Sequence, residues 1–169
     1  MIRVDREVRR CIETLEAAIG DPRRGLPEDV FRFVSGITPL VNVDLLIQDD
    51  RGRLLLTWRD DEHFGAGWHV PGGIIRYKEA SADRVRACAR EELAADISFD
   101  PAPICVTETI LESRDRGHAV SLLFRCRLIT PPDPAREAVT ATPSAGQWRW
   151  HQGAPPDLID VQSGYARFF

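Results

Sequence analysis

A chain of 169 residues, 43% apolar and 28% charged, has the composition of a soluble globular domain and the length for one core plus a short extension. Its formal net charge of −4 argues against a general nucleic-acid or anionic-membrane binder, whose phosphate contacts need clustered positive charge. Lys78 is the only lysine, so apart from it any phosphate clamp is built from arginine, backbone N–H or metal.

In chain order, Val4, Val8, Cys11, Ile12, Leu15 and Ile19 recur at helical spacing, and Gly20-Asp21-Pro22 stops that helix. A second short helix begins near Pro27, with Glu28 and Asp29 in its first turn where the dipole favours acid, and ends near Gly36. Residues 1–36 are therefore read as a helical extension and 37–169 as the main domain. Residues 39–48 read as a strand, Asp49 to Gly52 as a turn and 53–59 as the returning strand of a hairpin. A polar loop (60–67) leads into WHVP, Gly72-Gly73 and a short extended piece, and residues 80–93 form a helix. Ile104 to Leu111 and Ala119 to Leu128 are two more strands, rich in β-branched residues. A proline-rich loop, the short strand QWRWH and one or two terminal helical turns complete the chain. Strands mixed with a central and a terminal helix predict an α/β (α+β) sandwich.

The four cysteines, at 11, 88, 105 and 126, form no C-x-x-C pair and have no histidine at zinc-ligand spacing. The charged N-terminal stretch predicts no secretory signal, and no apolar run reaches membrane-spanning length. The expectation is a cytoplasmic protein with reduced thiols.

The chemistry concentrates between Trp68 and Glu92. On the helical wheel of 80–93, Ala82, Val85, Ala89 and Leu93 make an apolar stripe. Glu92 falls only about 20° from Val85, while Glu91 lies about 120° away. Glu92 is thus a carboxylate at the core-facing edge, which costs free energy unless paired or bound to a cation. Cys88, one turn earlier on the same side, is a poor ligand for a hard cation. Adjacent acids alone are usually a solvated helix face; here Glu79 follows Gly73 by six residues, inside a WHVPGG context.

This stretch resembles the Nudix box, G-x5-E-x7-R-E-U-x-E-E-x-G-U, with Ala87 in place of its arginine, Cys88 in place of its first glutamate and Ala94 in place of its last glycine. Over roughly residues 30–150, TPLVNVDLLIQDDRGRLLLTWR followed by GWHVPGG is similar to the GDP-mannose mannosyl hydrolase branch of that family. The resemblance implies an α/β/α sandwich with a mixed sheet, a homodimer, and magnesium (manganese as a substitute). It implies hydrolysis of a nucleoside diphosphate linked to a sugar, by attack at the sugar carbon. Carried onto this sequence, it implies that Asp44 helps bind substrate, that Arg59 contacts the diphosphate, that the Gly72 carbonyl faces the metal and that Glu92 binds it. Glu79 and Glu91 are expected to help hold the metal, Arg76 to grip the diphosphate, and Trp68, or Phe64 before it, to stack on a base or sugar.

Four departures bear on mechanism. Ile74 and Ala87 replace arginines of the branch, Ala119 replaces a tyrosine, and Ala145 or a close neighbour occupies the position of the catalytic histidine. His118, His151, Glu108 and Glu112 are the candidate replacements for that base, with His118 preferred. Two alternatives stay open at this level: a Nudix-fold binding or regulatory module that has lost turnover, and ordinary attack at phosphorus.

Overall fold

The computed structural model describes residues 5–112 and 116–169. The extension forms α1 (Arg6–Ile19) and α2 (Glu28–Ser35). Gly20 ends α1 at a φ of 62°, its N–H bonded to the Glu16 carbonyl, and the Asp21 side chain then caps a short 3-10 turn at Pro22–Arg24. The strands are β1 (Leu40–Ile47), β2 (Leu54–Asp61), β3 (Gly65–His69), β4 (Gly72–Ile74), β5 (Ile97–Phe99), β6 (Cys105–Ile110), β7 (His118–Leu128) and β8 (Trp148–His151), with α3 (Ser81–Leu93) between β4 and β5. A 3-10 helix, Asp160–Phe168, closes the chain.

One sheet is five-stranded and mixed, in the order β4-β1-β7-β5, with β6 also on β7; the other runs β3-β2-β8. β1 lies parallel to β7, from Leu40 opposite Ala119 to Ile47 opposite Cys126. β7 is long enough for one of its edges to carry β6 along its first half and β5 along its last residues. The mixed α/β architecture agrees with the fold class read from the sequence.

The expected hairpin of residues 39–59 is corrected. β1 and β2 belong to different sheets and meet only at the bridge between Gln48 and Leu54. Both strands are buried along consecutive positions, Val43 to Ile47 and Leu54 to Thr57, so each needs cover on both faces and a ribbon of two would leave one face wet. Val43, Leu45 and Ile47 pack with Val85, Ala89 and Leu93 of α3, while Leu46 packs with Leu54, Leu56, Val70 and Tyr165. Each fully buried aliphatic side chain contributes about 1.5–3 kcal/mol. The stripe predicted on α3 is the face that docks, and it fixes the rotation of the helix and hence where Glu92 points.

The end of α3 explains one change in the box. Ala94 caps the helix in the left-handed region, at a φ of 52°, where the box pattern has glycine. Alanine adopts that conformation with strain.

Candidate active site

A cavity of about 540 Å³ opens over the β1–β7 face, bounded by the β2–β3 hairpin and the C-terminal 3-10 helix. Glu92 reaches it from the edge of α3. Its Oε1 accepts the Gly72 N–H at 2.8 Å and its Oε2 accepts the Thr57 hydroxyl at 2.7 Å. His69 lies alongside, its Nε2 3.2 Å from Thr57 Oγ1 and 3.6 Å from Glu92 Oε2. Because the Thr57 proton goes to Glu92, the Thr57 oxygen accepts from the ring. Its Nδ1 is 3.5 Å from the same oxygen, so a neutral His69 donates to Thr57 from one ring nitrogen and keeps a lone pair on the other.

Asp44 is the second carboxylate. It is buried and accepts the Tyr165 hydroxyl at 2.6 Å. Burial pushes its carboxyl up to about 6, the Glu92 charge adds to this, and the hydrogen bonds from Tyr165 and Ser121 and the nearby His69 oppose it. Gly72 is wedged between the two acids: a Cβ there would lie 2.5 Å from Asp44 Oδ1 and 2.5 Å from the Val43 carbonyl oxygen. Glycine is required at this position by close approach.

The remaining box acids turn elsewhere. Arg84, with only 6% of its side chain exposed, bonds to Glu79 at 2.9 Å and to Glu91 at 3.3 Å. Glu79 also accepts the Arg76 N–H at 2.8 Å. Burial raises the Glu79 carboxyl, and the Arg84 and Arg76 contacts outweigh it, holding the group below the usual carboxylate range. Arg84 supplies an arginine one helical turn before Ala87, where the box pattern places it. Cys88 is buried against Gly73, and burial pushes its thiol up to about 12.

These contacts decide how a metal fits. Among the described residues, no three of His, Cys, Asp and Glu converge on a point where they could hold an ion. The four-member set expected from the sequence, Gly72, Glu79, Glu91 and Glu92, is therefore not assembled: Glu79 and Glu91 face Arg84, and only Gly72 and Glu92 of the four line the cavity. What is present fits a magnesium-like ion that keeps waters, takes one or two carboxylates and is shared with substrate phosphates. Glu92 and Asp44 are the carboxylates of the cavity that would hold it. The raised Asp44 beside Glu92 marks a pair with no arginine or lysine within ion-pairing distance among the described residues.

The mouth of the cavity carries Arg59, Trp58 and Phe64. Arg59 donates to Asp61 at 2.6 Å and lies over the Phe64 ring at 4.5 Å. Arg76 is half-exposed, 3.7 Å from Glu91, and does not line the cavity. Trp68 is corrected as a stacking residue: it is 2% exposed, packed edge-on against Trp58 and His151, and belongs to the core. His118 is corrected as the base. Strand alternation puts Ala119, Ser121 and Leu123 on the cavity side of β7, so His118 points the other way and meets Glu108 at 3.0 Å. His151 and Glu112 do not line the cavity either, whereas Ala145 does.

Reading the sequence missed Arg84, His69, Thr57 and Tyr165. A signal existed for Arg84, a charge on the helix face it shares with Cys88 and Glu91. His69 had one in strand alternation, being next to an inward Trp68. Thr57 and Tyr165 had none, because their roles come from tertiary contacts.

A family model described as the NUDIX domain matches residues 38–158. The chain belongs to the Nudix family. Among solved structures, it is similar to a MutT NUDIX hydrolase from Burkholderia pseudomallei, with a TM-score of 0.60 and 22% identity, covering 77% of this chain and 97% of that one. It is also similar to a NUDIX hydrolase from Nitrosomonas europaea, with a TM-score of 0.55 and 17% identity over 68% and 72% of the two chains. Both likenesses concern the fold. A curated relative, the low-salt glycan biosynthesis protein Agl8 of Haloferax volcanii, is 34% identical over 79 residues, which are 47% of this chain and 50% of that protein. The match thus spans half the length of that relative. The matched Nudix segment begins after α2, so α1 and α2 lie outside it.

Proposed function

We propose that this Nudix chain is a hydrolase of a nucleoside diphosphate linked to a sugar or similar group, working with magnesium or manganese bound jointly with the substrate. The observation that carries this reading is Glu92, held by Gly72 N–H and Thr57 at the wall of the cavity beside Asp44. The cavity is lined by four carboxylates, of Asp44, Asp60, Asp61 and Glu92, and by the two arginines Arg59 and Arg116. A diphosphate entering so acidic a cavity needs a cation with it. When bound, the cation would neutralise the departing diphosphate and orient it. The sugar assignment is supported by the resemblance to the mannosyl hydrolase branch and by the relative named for glycan biosynthesis.

The side chains then divide the work. Thr57 and Gly72 fix the Glu92 carboxylate, and Tyr165 fixes Asp44. Trp58 is the ring placed to meet a base, and Arg59, lying over Phe64, offers its charge at the mouth. His69, which lines the cavity together with Ala145, is the base of this reading, taking the proton of an attacking water at the ring nitrogen that does not donate to Thr57. A small-molecule substrate, a cytoplasmic location and a homodimer complete the proposal. The net charge of −4, which argues against a nucleic-acid ligand, supports the first.

A second reading, a binding module without turnover, is favoured by Cys88 and Ala145, which leave the site short of a ligand and of the branch's base. One experiment separates the readings. The chain is incubated with nucleoside diphosphate sugars and dinucleotides in ¹⁸O-labelled water, with and without magnesium. Label in the released sugar means attack at carbon, and label in a phosphate means attack at phosphorus. Tight binding with no product means the binding module.

A further inference from the structure

Helix α1 has no buried residue, although Val8, Ile12, Leu15 and Ile19 form one apolar stripe along it. Val8 is 50% exposed and Ile12 44% exposed, while Leu15 and Ile19 are partly covered. An isolated helix of 14 residues is marginal in water, and most helical stability in proteins comes from covering such a stripe. Apart from Asp5 at the N-cap and Glu7 in the first turn, the charges run against the helix dipole: Arg6, Arg9 and Arg10 make the first half net basic, Glu13 and Glu16 make the second acidic, and the last turn has no basic residue. Arg9 and Glu16, seven residues apart, sit on the same flank within about 20° of each other. Neither belongs to any ion pair among the described residues.

We propose that α1 packs against α1 of a second copy of this chain, antiparallel, about a two-fold axis between Ile12 and Leu15. In that arrangement Val8 meets the partner's Ile19, and Ile12 meets the partner's Leu15. The basic half of each helix lies along the acidic half of the other, and Arg9 comes beside the partner's Glu16. Two antiparallel dipoles also place each unfavourable end charge next to a complementary terminus. The charge pattern selects a second copy because it is complementary to itself only when reversed, which is the condition for an isologous interface. A helix of about 21 Å gives an interface at the small end of the specific range, so the dimer is expected to dissociate on dilution.

The test is sedimentation equilibrium of the full chain from about 1 µM to about 1 mM, with far-UV circular dichroism to confirm folding, and it requires no activity. Ile12→Glu, at an exposed position, is expected to weaken the dimer more than 100-fold. Arg9→Glu and Glu16→Arg are each expected to weaken it about 10-fold, and the double exchange to restore it to within about 3-fold. A wild-type monomer throughout the range overturns the proposal. So does a dimer that tolerates Ile12→Glu, or one in which the double exchange is no better than the singles. Any of these results leaves the catalytic reading standing, and loss of that reading leaves this one standing.

Discussion

Replacing Arg84 by Met keeps most of the side-chain volume but removes the charge that pairs with Glu79, just before α3, and with Glu91, in its last turn. Breaking a buried pair by removing one partner costs about 3–5 kcal/mol when the other charge stays buried and unpaired. Two features lower that figure here. Glu79 keeps its bond from the Arg76 N–H, and Glu91 is half-exposed, so its pairing with Arg84 is worth about 1 kcal/mol or less. A loss of about 2–4 kcal/mol remains, most of it from Glu79. For a chain of this length that lowers the melting temperature by about 4–16 °C. Urea unfolding of Arg84→Met, Glu79→Gln and the double variant measures it, with a coupling of about 1–3 kcal/mol expected between the two positions. Adding Ala87→Arg to Arg84→Met should recover at least half of the loss, since it returns the guanidinium to the position of the box pattern. A single variant within about 0.5 kcal/mol of wild type, or strictly additive singles, would refute the argument that Arg84 does the work of the missing arginine.

Three further outcomes are expected. Ala94→Gly relieves the left-handed cap and should stabilise the chain by about 1 kcal/mol in urea, with no change in cavity chemistry. Asp44 has its carboxyl raised from 3.8 to about 6, so the folded state holds its proton over a range where the unfolded chain has lost it. Stability from this group is therefore greatest below pH 3.8 and is lost as pH rises through about 6, amounting to about 3 kcal/mol above that pH. Asp44→Asn should flatten this component in melts at pH 4 to 8 without divalent cations, and an unchanged slope would contradict the burial argument. His69→Asn should lower kcat by about 10²-fold or more with little change in KM, read from steady-state kinetics.

The parts of the molecule that local periodicity controls are legible in the amino-acid sequence. The stripe of Val85, Ala89 and Leu93 places Glu92 at the core-facing edge, and the turn residues Asp49 to Gly52 mark the boundary between β1 and β2. Pairing is not legible. A turn between two apolar runs reads as a hairpin, but burial of both strands on both faces sends them into different sheets. The face a side chain takes on a strand is lost the same way. His118 begins β7, and its register with Ile110 and not its distance along the chain turns it away from the cavity. Asp44 and Glu92 stand out by resemblance, yet their partners Thr57 and Tyr165 come from 35 and 121 residues away, where no spacing rule reaches. Arg84 is easily overlooked because the box pattern directs attention to position 87, while the helix face offers an equivalent place one turn earlier.

In the proposed reaction Glu92 is the protein carboxylate at which a substrate-borne cation is held. This role is tested most directly by comparing wild type with Glu92→Gln on the nucleoside diphosphate sugar that gives most product, across a magnesium titration. Cation-dependent turnover is expected in wild type, with a loss of about 10²-fold or more in the variant that added magnesium does not repair. Equal turnover by the two proteins at the same magnesium concentration would contradict it.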